Sequence, residues 1–368
     1  MGLQKMVKTI RTYSLYSSPW FKPWAGEKNH DYQNRFNGLL SSFLSVYLHP
    51  ENGNPNMNIY HDFEHISEIP NPVLTIGTFD GVHLGHQKII SYLNREAEKI
   101  GGESVLFTFF PHPKMVLNPD NHGIKLIQTQ EEKLEKLEKT GLKNIIIHPF
   151  TKDFSQLTAL EFVRDFLVKK LHVKHLVIGY DHQFGKNREG GIEFLKSVAP
   201  EFGFGITEIS AEEIDEVNVS STKIRNAILS GDVETANAFL GTPFSLQGEV
   251  IHGKENGRTF GFPTANIDLK SNLKLLPPDG IYVVNAIVNK ELHKGILSIG
   301  TNPTISENNE RTIEVYILDF HENIYGTVLD VELLHFIRPS LKFDSIEALI
   351  QQMKEDEIYT RNYINTVV

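Results

Sequence analysis

The sequence predicts an α/β domain joined to a β domain: an N-terminal doubly wound, Rossmann-like parallel sheet, then a small antiparallel β-barrel with a closing helix. Three observations predict it. From Val73 to Ile209 short apolar runs alternate with helical periodicities. Beyond Gly241 runs rich in Val, Ile, Tyr and Phe recur with no long helix between them. Finally, 368 residues are more than one core usually organises.

In chain order, the first half reads as strands at Val73–Ile76, Ser104–Phe109, 144–147, 175–178 and Gly205–Ile209. Helical spacing fills the gaps at 86–100, at 131–140 closed by Gly141, at 159–171 and at 192–198. A short helix from Asp232 ends at Gly241-Thr-Pro243, where the character of the chain changes. Strand-like segments follow at 244–252, 281–289, 293–299, 312–319 and 328–337. The segment 343–359 then reads as an amphipathic helix, with Ile346, Leu349, Ile350 and Met353 on one face.

Composition narrows the function classes. A formal net charge of −10 argues against a general nucleic-acid binder, which needs a basic face to displace counterions. No apolar run approaches the roughly 20 residues that span a bilayer. The absence of cysteine rules out disulfides and fits a reducing cytoplasm. Nothing indicates a homo-oligomer. Residues 1–56, with both tryptophans in an Asn- and Ser-rich setting, show no clear period. They read as an extension outside the fold, from a misplaced start codon, with a short helical docking element as the second reading.

The densest motif is Val73 to His86, an apolar strand running into Gly77-Thr-Phe-Asp-Gly-Val-His-Leu-Gly-His86. Gly77, Gly81 and Gly85 permit a tight turn and close approach to a ligand. A helix starting near Leu84 puts His83 and His86 at its N-terminus, where free N–H groups favour phosphate. Two imidazoles there can donate to charge developing on a nucleotide's α-phosphate. Capping or surface histidines are the plain alternative, and a metal pair lacks a third ligand of obvious spacing. The combination of strand, glycines, H-x-G-H and helix favours a nucleotide site.

Other motifs sit where strand ends should converge. Phe109-Phe110-Pro111-His112-Pro113 can wall a planar ring or merely stiffen a loop. In Gly179-Tyr-Asp-His-Gln-Phe-Gly185, Asp181 can accept from a ligand or serve a turn. Ser220-Ser-Thr-Lys-Ile-Arg225 opens a helix whose hydroxyls can cap it and whose Arg225 can clamp a phosphate. In the second half, Gly248 to Gly253 and Gly257-Arg258-Thr-Phe-Gly261 can cover phosphates, while the oxygens of Thr264 and Asn266 suit Mg²⁺. There is no Walker-type phosphate loop. Glu314 lies between Ile313 and Val315, and alternation alone points it to water.

Together and in this order, these motifs, with Asn302-Pro-Thr304, resemble the prokaryotic bifunctional FAD synthetase family, which joins an FMN adenylyltransferase to a riboflavin kinase. The likeness spans residues 57 to the C-terminus. It implies an adenylyltransferase domain over 57–242 and a riboflavin kinase domain over 243–368, each expected to own its site and most of its core. ATP would be the co-substrate of both, with Mg²⁺, and FMN and FAD the products. His83 and His86 would stabilise the α-phosphate. Gly77, Phe79, Asp80, Gly85, Ser220, Ser221, Thr222 and Arg225 would hold the nucleotide. Phe110, Pro111, His112, Asp181 and Phe184 would meet the flavin. In the kinase, Gly253, Gly257, Arg258 and Gly261 would cover the nucleotide, Thr264 and Asn266 would bind Mg²⁺, and Glu314 would be the base, against the alternation reading. The chain departs from the family in carrying His182-Gln183 for a frequent Phe-Arg, and Val219 for isoleucine.

Overall fold

A computed structural model describes residues 57–367, except 62, 64, 65, 67, 118–123, 211, 214–218, 254, 255, 270 and 302–310. The expectations for residues 1–56 and for Asn302-Pro-Thr304 therefore lie outside the described residues.

The first half contains β1 (Asn58–Tyr60), β2 (Val73–Ile76), α1 (Leu84–Lys99), β3 (Ser104–Phe109), α2 (Pro113–Leu117), α3 (Gln130–Glu138), β4 (Asn144–His148), α4 (Ala159–Phe162), β5 (His175–Gly179), α5 (Ile192–Phe202) and β6 (Gly205–Ile209). The six strands form one parallel sheet in the order β1-β4-β3-β2-β5-β6. Chain order runs outward from β2 in both directions, through β3 and β4 on one side and through β5 and β6 on the other. The end of β2 is therefore the switch point where such sheets open a ligand crevice.

Local chemistry accounts for the elements. All four residues of β2 are buried, as a central strand requires. α3 begins with a capping box in which Thr129 and Glu132 satisfy each other's backbone N–H. α4 continues as a π-helix over Val163–Val168, within one predicted helical stretch. α5 outlasts its predicted end and stops at Gly203, whose φ of 71° suits glycine. β1 is too short for any periodicity to announce; it pairs with β4, and the Asn58 amide donates to Asn144 Oδ1 at 3.0 Å.

The second half begins with α6 (Ser221–Ser230) and α7 (Val233–Leu240), followed by β7 (Phe244–Ile251), α8 (Asn256–Thr259), β8 (Thr264–Asp268), β9 (Gly280–Val288), β10 (Glu291–Thr301), β11 (Arg311–Ile317), β12 (Val328–Pro339) and α9 (Ile346–Val367). The strands close a barrel in the order β10-β11-β8-β7-β12-β9, every neighbour antiparallel. Asn289 and Lys290 turn β9 into β10 with φ of 50° and 72°, the conformation of a tight two-residue hairpin. α9 starts later than the pattern suggested because Ser345 Oγ accepts from the Ala348 N–H at 3.1 Å. Arg338 anchors it by donating to both oxygens of Asp356, at 2.9 and 2.6 Å.

Most of the barrel core comes from residues after 242, yet the packing also crosses that boundary. Ile224, Ala227, Ile228, Val233, Ala236 and Leu240 of α6 and α7 share a core with Phe244, Leu246, Tyr282, Val284 and Leu333 of the barrel. Two helices assigned by sequence to the first half thus bury their apolar faces in the second. Apolar burial follows three-dimensional packing, so the cores do not divide at 242/243.

Gly248 illustrates how a motif glycine can belong to the fold. A Cβ there would lie 2.4 Å from the Asp268 carbonyl oxygen, where β7 meets β8. Gly248→Ala should therefore cost about 1–3 kcal/mol of stability through overpacking, measured as a lower urea midpoint. An unchanged midpoint would show that the strands can part freely.

The sheet's apolar face carries a second test. His148 lies among Phe63, Phe107, Phe154 and Phe166 with ring centres 4.6–5.8 Å away. Burial holds its imidazole down at about 4 against an ordinary 6.5. The unfolded chain binds the extra proton between those values, so this group removes stability as pH falls from about 6.5 to about 4. His148→Phe should weaken the loss of stability over that window. Equal acid sensitivity in the two proteins would refute the assignment.

Candidate active sites

The first site grows from the end of β2. The Gly77 N–H donates to Phe107 O at 3.0 Å, and a Cβ on Gly77 would meet the Phe79 ring at 2.8 Å, so the chain turns there only as glycine. Phe79 and Val82 sit at positive φ, 49° and 37°, and both are buried. Between them Asp80 is 5% exposed. Its Oδ1 accepts from the Ile127 N–H at 3.0 Å, and its Oδ2 pairs with Arg225 of α6. Burial raises the Asp80 carboxyl above its ordinary value; Arg225, Lys133 and two backbone N–H groups oppose the rise.

His83 caps α1: its Nδ1 accepts from the His86 N–H at 3.3 Å. The two imidazoles stack with centres 3.6 Å apart, and His86 stacks in turn on Phe79 at 4.5 Å. Gly85 makes room for this, since a Cβ would lie 3.2 Å from the His83 ring. Burial first, then Lys136, holds His83 down at about 4. Burial, His83, Lys133 and Lys136 likewise hold His86 well below its ordinary value. Both rings are neutral near pH 7. In neutral His83 the cap bond leaves the proton on Nε2, available as a donor. His86 Nδ1 is buried with no partner among the described residues.

α6 closes the other side. Ser220 caps it, accepting from the Lys223 N–H at 3.3 Å, while Ser221 Oγ donates to Asp80 O at 2.9 Å. Thr222 is exposed at the same helix start. Arg225 also donates to the Lys125 carbonyl, so part of its guanidinium already serves the protein. Sequence reasoning missed two lysines here. Lys133 Nζ donates to Thr78 O and Thr108 Oγ1, both at 2.8 Å, and burial brings it down to about 8. Lys136 donates to Gly81 O at 3.4 Å and Leu240 O at 3.2 Å, and burial likewise brings it to about 8. In the sequence they look like ordinary charges on an acidic-basic helix, and no pattern marks them.

The residues expected to meet flavin separate into two groups. Phe110-Pro111, a cis peptide, and His112 follow β3. His112 is held at about 4 by burial and then by Arg225, Lys114 and Lys133, which brings it into the electrostatic reach of the Asp80 cluster. Asp181 is exposed beyond β5. Phe184 packs at 5.5 Å from Phe162 and 6.3 Å from Phe194, and its backbone pairs with Gly190. Its ring thus braces the sheet core as well as bordering the Asp181 turn.

The second site lies on the outer face of the barrel. In β11, Ile313, Val315 and Ile317 are buried while Thr312, Glu314 and Tyr316 face the other way, as alternation predicts. That face is not simply solvent. Glu314 stands opposite Asn266 of β8, and its carboxylate accepts from Thr264 Oγ1 and Thr312 Oγ1, both at 3.1 Å. Thr312 is a further residue the sequence reading did not single out. Gly253 covers this group closely, since a Cβ there would lie 2.1 Å from Asn266 Nδ2. The backbone of Arg258 belongs to α8. The adjoining turn needs Gly257, where a Cβ would lie 2.3 Å from Phe262 O, and Gly261 at φ 86°. Neutral oxygens of Thr264 and Asn266 beside one carboxylate form a hard donor set, and among the described residues no cluster of three His, Cys, Asp or Glu competes for a metal.

Both parts of the chain are similar to known proteins. A family model described as FAD synthetase matches residues 65–223, and one described as riboflavin kinase matches residues 240–364. The bifunctional riboflavin kinase/FMN adenylyltransferase of Listeria monocytogenes is 42% identical over 293 residues, covering 80% of this chain and 92% of that protein. The enzyme of the same description from Bacillus subtilis is 36% identical over 297 residues, covering 80% and 93%. A crystal structure described as a macrolide-efflux protein from Streptococcus pneumoniae superposes with a TM-score of 0.74 at 34% identity, covering 83% of this chain and 99% of that one. Among the described residues no helix is long and apolar enough to cross a membrane. Two family models in the right order, and relatives matched over nearly their whole length, place this chain in the bifunctional riboflavin kinase/FMN adenylyltransferase family.

Proposed function

We propose that His83, His86, Arg225 and Glu314 are the residues with which this chain performs its family's two reactions. ATP-dependent phosphorylation of riboflavin gives FMN, and adenylyl transfer from ATP to FMN gives FAD and pyrophosphate. The observation that carries the reading is the stacked, neutral histidine pair at the start of α1, beside the Asp80–Arg225 pair.

In adenylyl transfer, a phosphate oxygen of FMN bonds to the α-phosphorus of ATP as the bond to pyrophosphate breaks. Charge builds on the α-phosphate oxygens, and donors already in place stabilise it without reorganisation. His83 supplies Nε2–H, and His86 a second imidazole. The start of α6, with Ser220, Ser221, Thr222 and Arg225, receives the triphosphate, while Gly77, Phe79, Asp80 and Gly85 shape the loop around it. Phe110, Pro111, His112, Asp181 and Phe184 border the flavin.

In the kinase, Glu314 takes the proton from the riboflavin 5′-hydroxyl, oriented by Thr264 and Thr312. Gly253, Gly257, Arg258 and Gly261 cover the nucleotide. Thr264 and Asn266 would hold Mg²⁺, which supplies charge neutralisation at the phosphates when bound. The functional division at 242/243 stands in this reading even though the cores are shared. A cytoplasmic setting suits the cysteine-free sequence.

Purified protein given riboflavin, ATP and Mg²⁺ should yield FMN and then FAD on chromatography; bound flavin without conversion would overturn the reading. His86→Ala should slow FAD formation by about a hundredfold or more while FMN still accumulates. Near-normal adenylylation in that variant would reduce the histidines to capping groups. Glu314→Gln should abolish FMN formation yet convert supplied FMN to FAD, because the amide keeps the shape but cannot accept the proton. A chain beginning at Met57 should retain both activities.

A further inference from the structure

Two opposite charges are sealed between the barrel and the sheet. The side chain of Lys274, which precedes β9, is 2% exposed, and that of its partner Glu132, in α3, is 8% exposed. Burial lowers the Lys274 ammonium from its ordinary value, and Glu132 is the main group opposing that shift. The Lys274 Nζ also lies 4.6 Å from the centre of the Phe244 ring. Such a pair gains little net stability over apolar residues of the same size, which directs attention to what it holds in place.

It holds the loop of the first site along two routes. Glu132 Oε2, the atom paired with Lys274, also accepts from the Thr129 N–H at 2.9 Å and so fixes the first turn of α3. The next residue, Lys133, reaches Thr78 O in the loop and Thr108 Oγ1 beneath it. The second route is backbone. The Leu126 N–H donates to Leu273 O at 2.6 Å and the Leu275 N–H to Leu126 O at 2.7 Å, a bridge centred on Lys274. The residues flanking Leu126 then hold the Asp80 pair: Lys125 O accepts from Arg225, and the Ile127 N–H donates to Asp80 Oδ1.

We propose that Lys274, a residue of the kinase half, is a positioning residue for adenylyl transfer, setting the placement of Thr78, Asp80 and Arg225 through Glu132 and the 125–127 segment. The inference rests on the site assignment above. Lys274 touches none of the groups assigned to phosphorylation, so its loss should divide the two activities.

The test compares both rates in full-length Lys274→Met, Glu132→Gln, the double variant and Lys274→Arg, with His86→Ala alongside. Riboflavin phosphorylation serves as the internal measure of folding. Lys274→Met and Glu132→Gln should lower the kcat of adenylyl transfer by about tenfold or more, as small misplacements of reacting groups do, while phosphorylation stays near wild type. Lys274→Arg should recover most of the loss. The double variant, which leaves no lone buried charge, should still be slow in adenylylation. Adenylylation near wild type in Lys274→Met or in the double variant would overturn the proposal. So would an equal loss of both activities in all these variants, Lys274→Arg included, which would make the pair a folding element only. A His86→Ala enzyme with normal adenylylation would instead sink the site assignment itself.

Discussion

The architecture of the first site depends on a carboxylate kept almost dry. Asp80 sits in a loop where two bulky residues, Phe79 and Val82, adopt left-handed backbone. Conformations of that kind cost of order 1–3 kcal/mol each and persist only where the surroundings over-determine them. Here the surroundings are the burial of both side chains and the bonds of Asp80 to Ile127 N–H and Arg225. Without a partner the carboxylate would shed its charge, and without the carboxylate Arg225 would lose its anchor. The same bonds place the helix start of α6 against the helix start of α1, so two phosphate-attracting ends meet at the switch point of the sheet.

Much of this was legible in the sequence, for identifiable reasons. The alternation of buried strands and long helices has a strong period, and the end of β2 with its glycines marks a turn that only certain residues can make. His83 and His86 fell where a helix start was expected because Leu84 begins the apolar repeat. What escaped the sequence has no local period. β1 is three residues long, and β8 is a strand whose Thr264 and Asn266 stand out as ligands before they read as strand. Lys133 and Lys136 share a helix with four glutamates and look solvated until the fold buries them. The pairing of Asp80 with Arg225 spans 145 residues, and no short-range rule reaches that far.

Glu314 shows why alternation and function need not compete. The period-two rule correctly turned it away from the barrel's apolar interior, and the resemblance made it a base. The two readings are compatible, because the outer face of β11 lies beside β8, so the carboxylate that faces away from the interior meets Thr264 and Thr312 and stands opposite Asn266. A carboxylate at such a place is only partly buried, yet it is oriented by two hydroxyls. The sequence could not give that neighbourhood, since β8 and β11 are brought together only by closure of the barrel.

The shared core gives the two sites a mechanical relation that the linear order of motifs conceals. α6 presents Ser220, Ser221 and Arg225 to the first site at its start, and along its length buries Ile224, Ala227 and Ile228 against the barrel. One short helix therefore both bonds to the Asp80 loop and belongs to the barrel's apolar packing. Interiors are close-packed, so a change of volume beneath Ile228 is transmitted rather than absorbed. The order of the family's reactions gives this a sense, because FMN, the product of the kinase, is the substrate of the adenylyltransferase. Fusion of the two halves then supplies more than proximity: the barrel packs beneath the helix that carries Arg225 to Asp80.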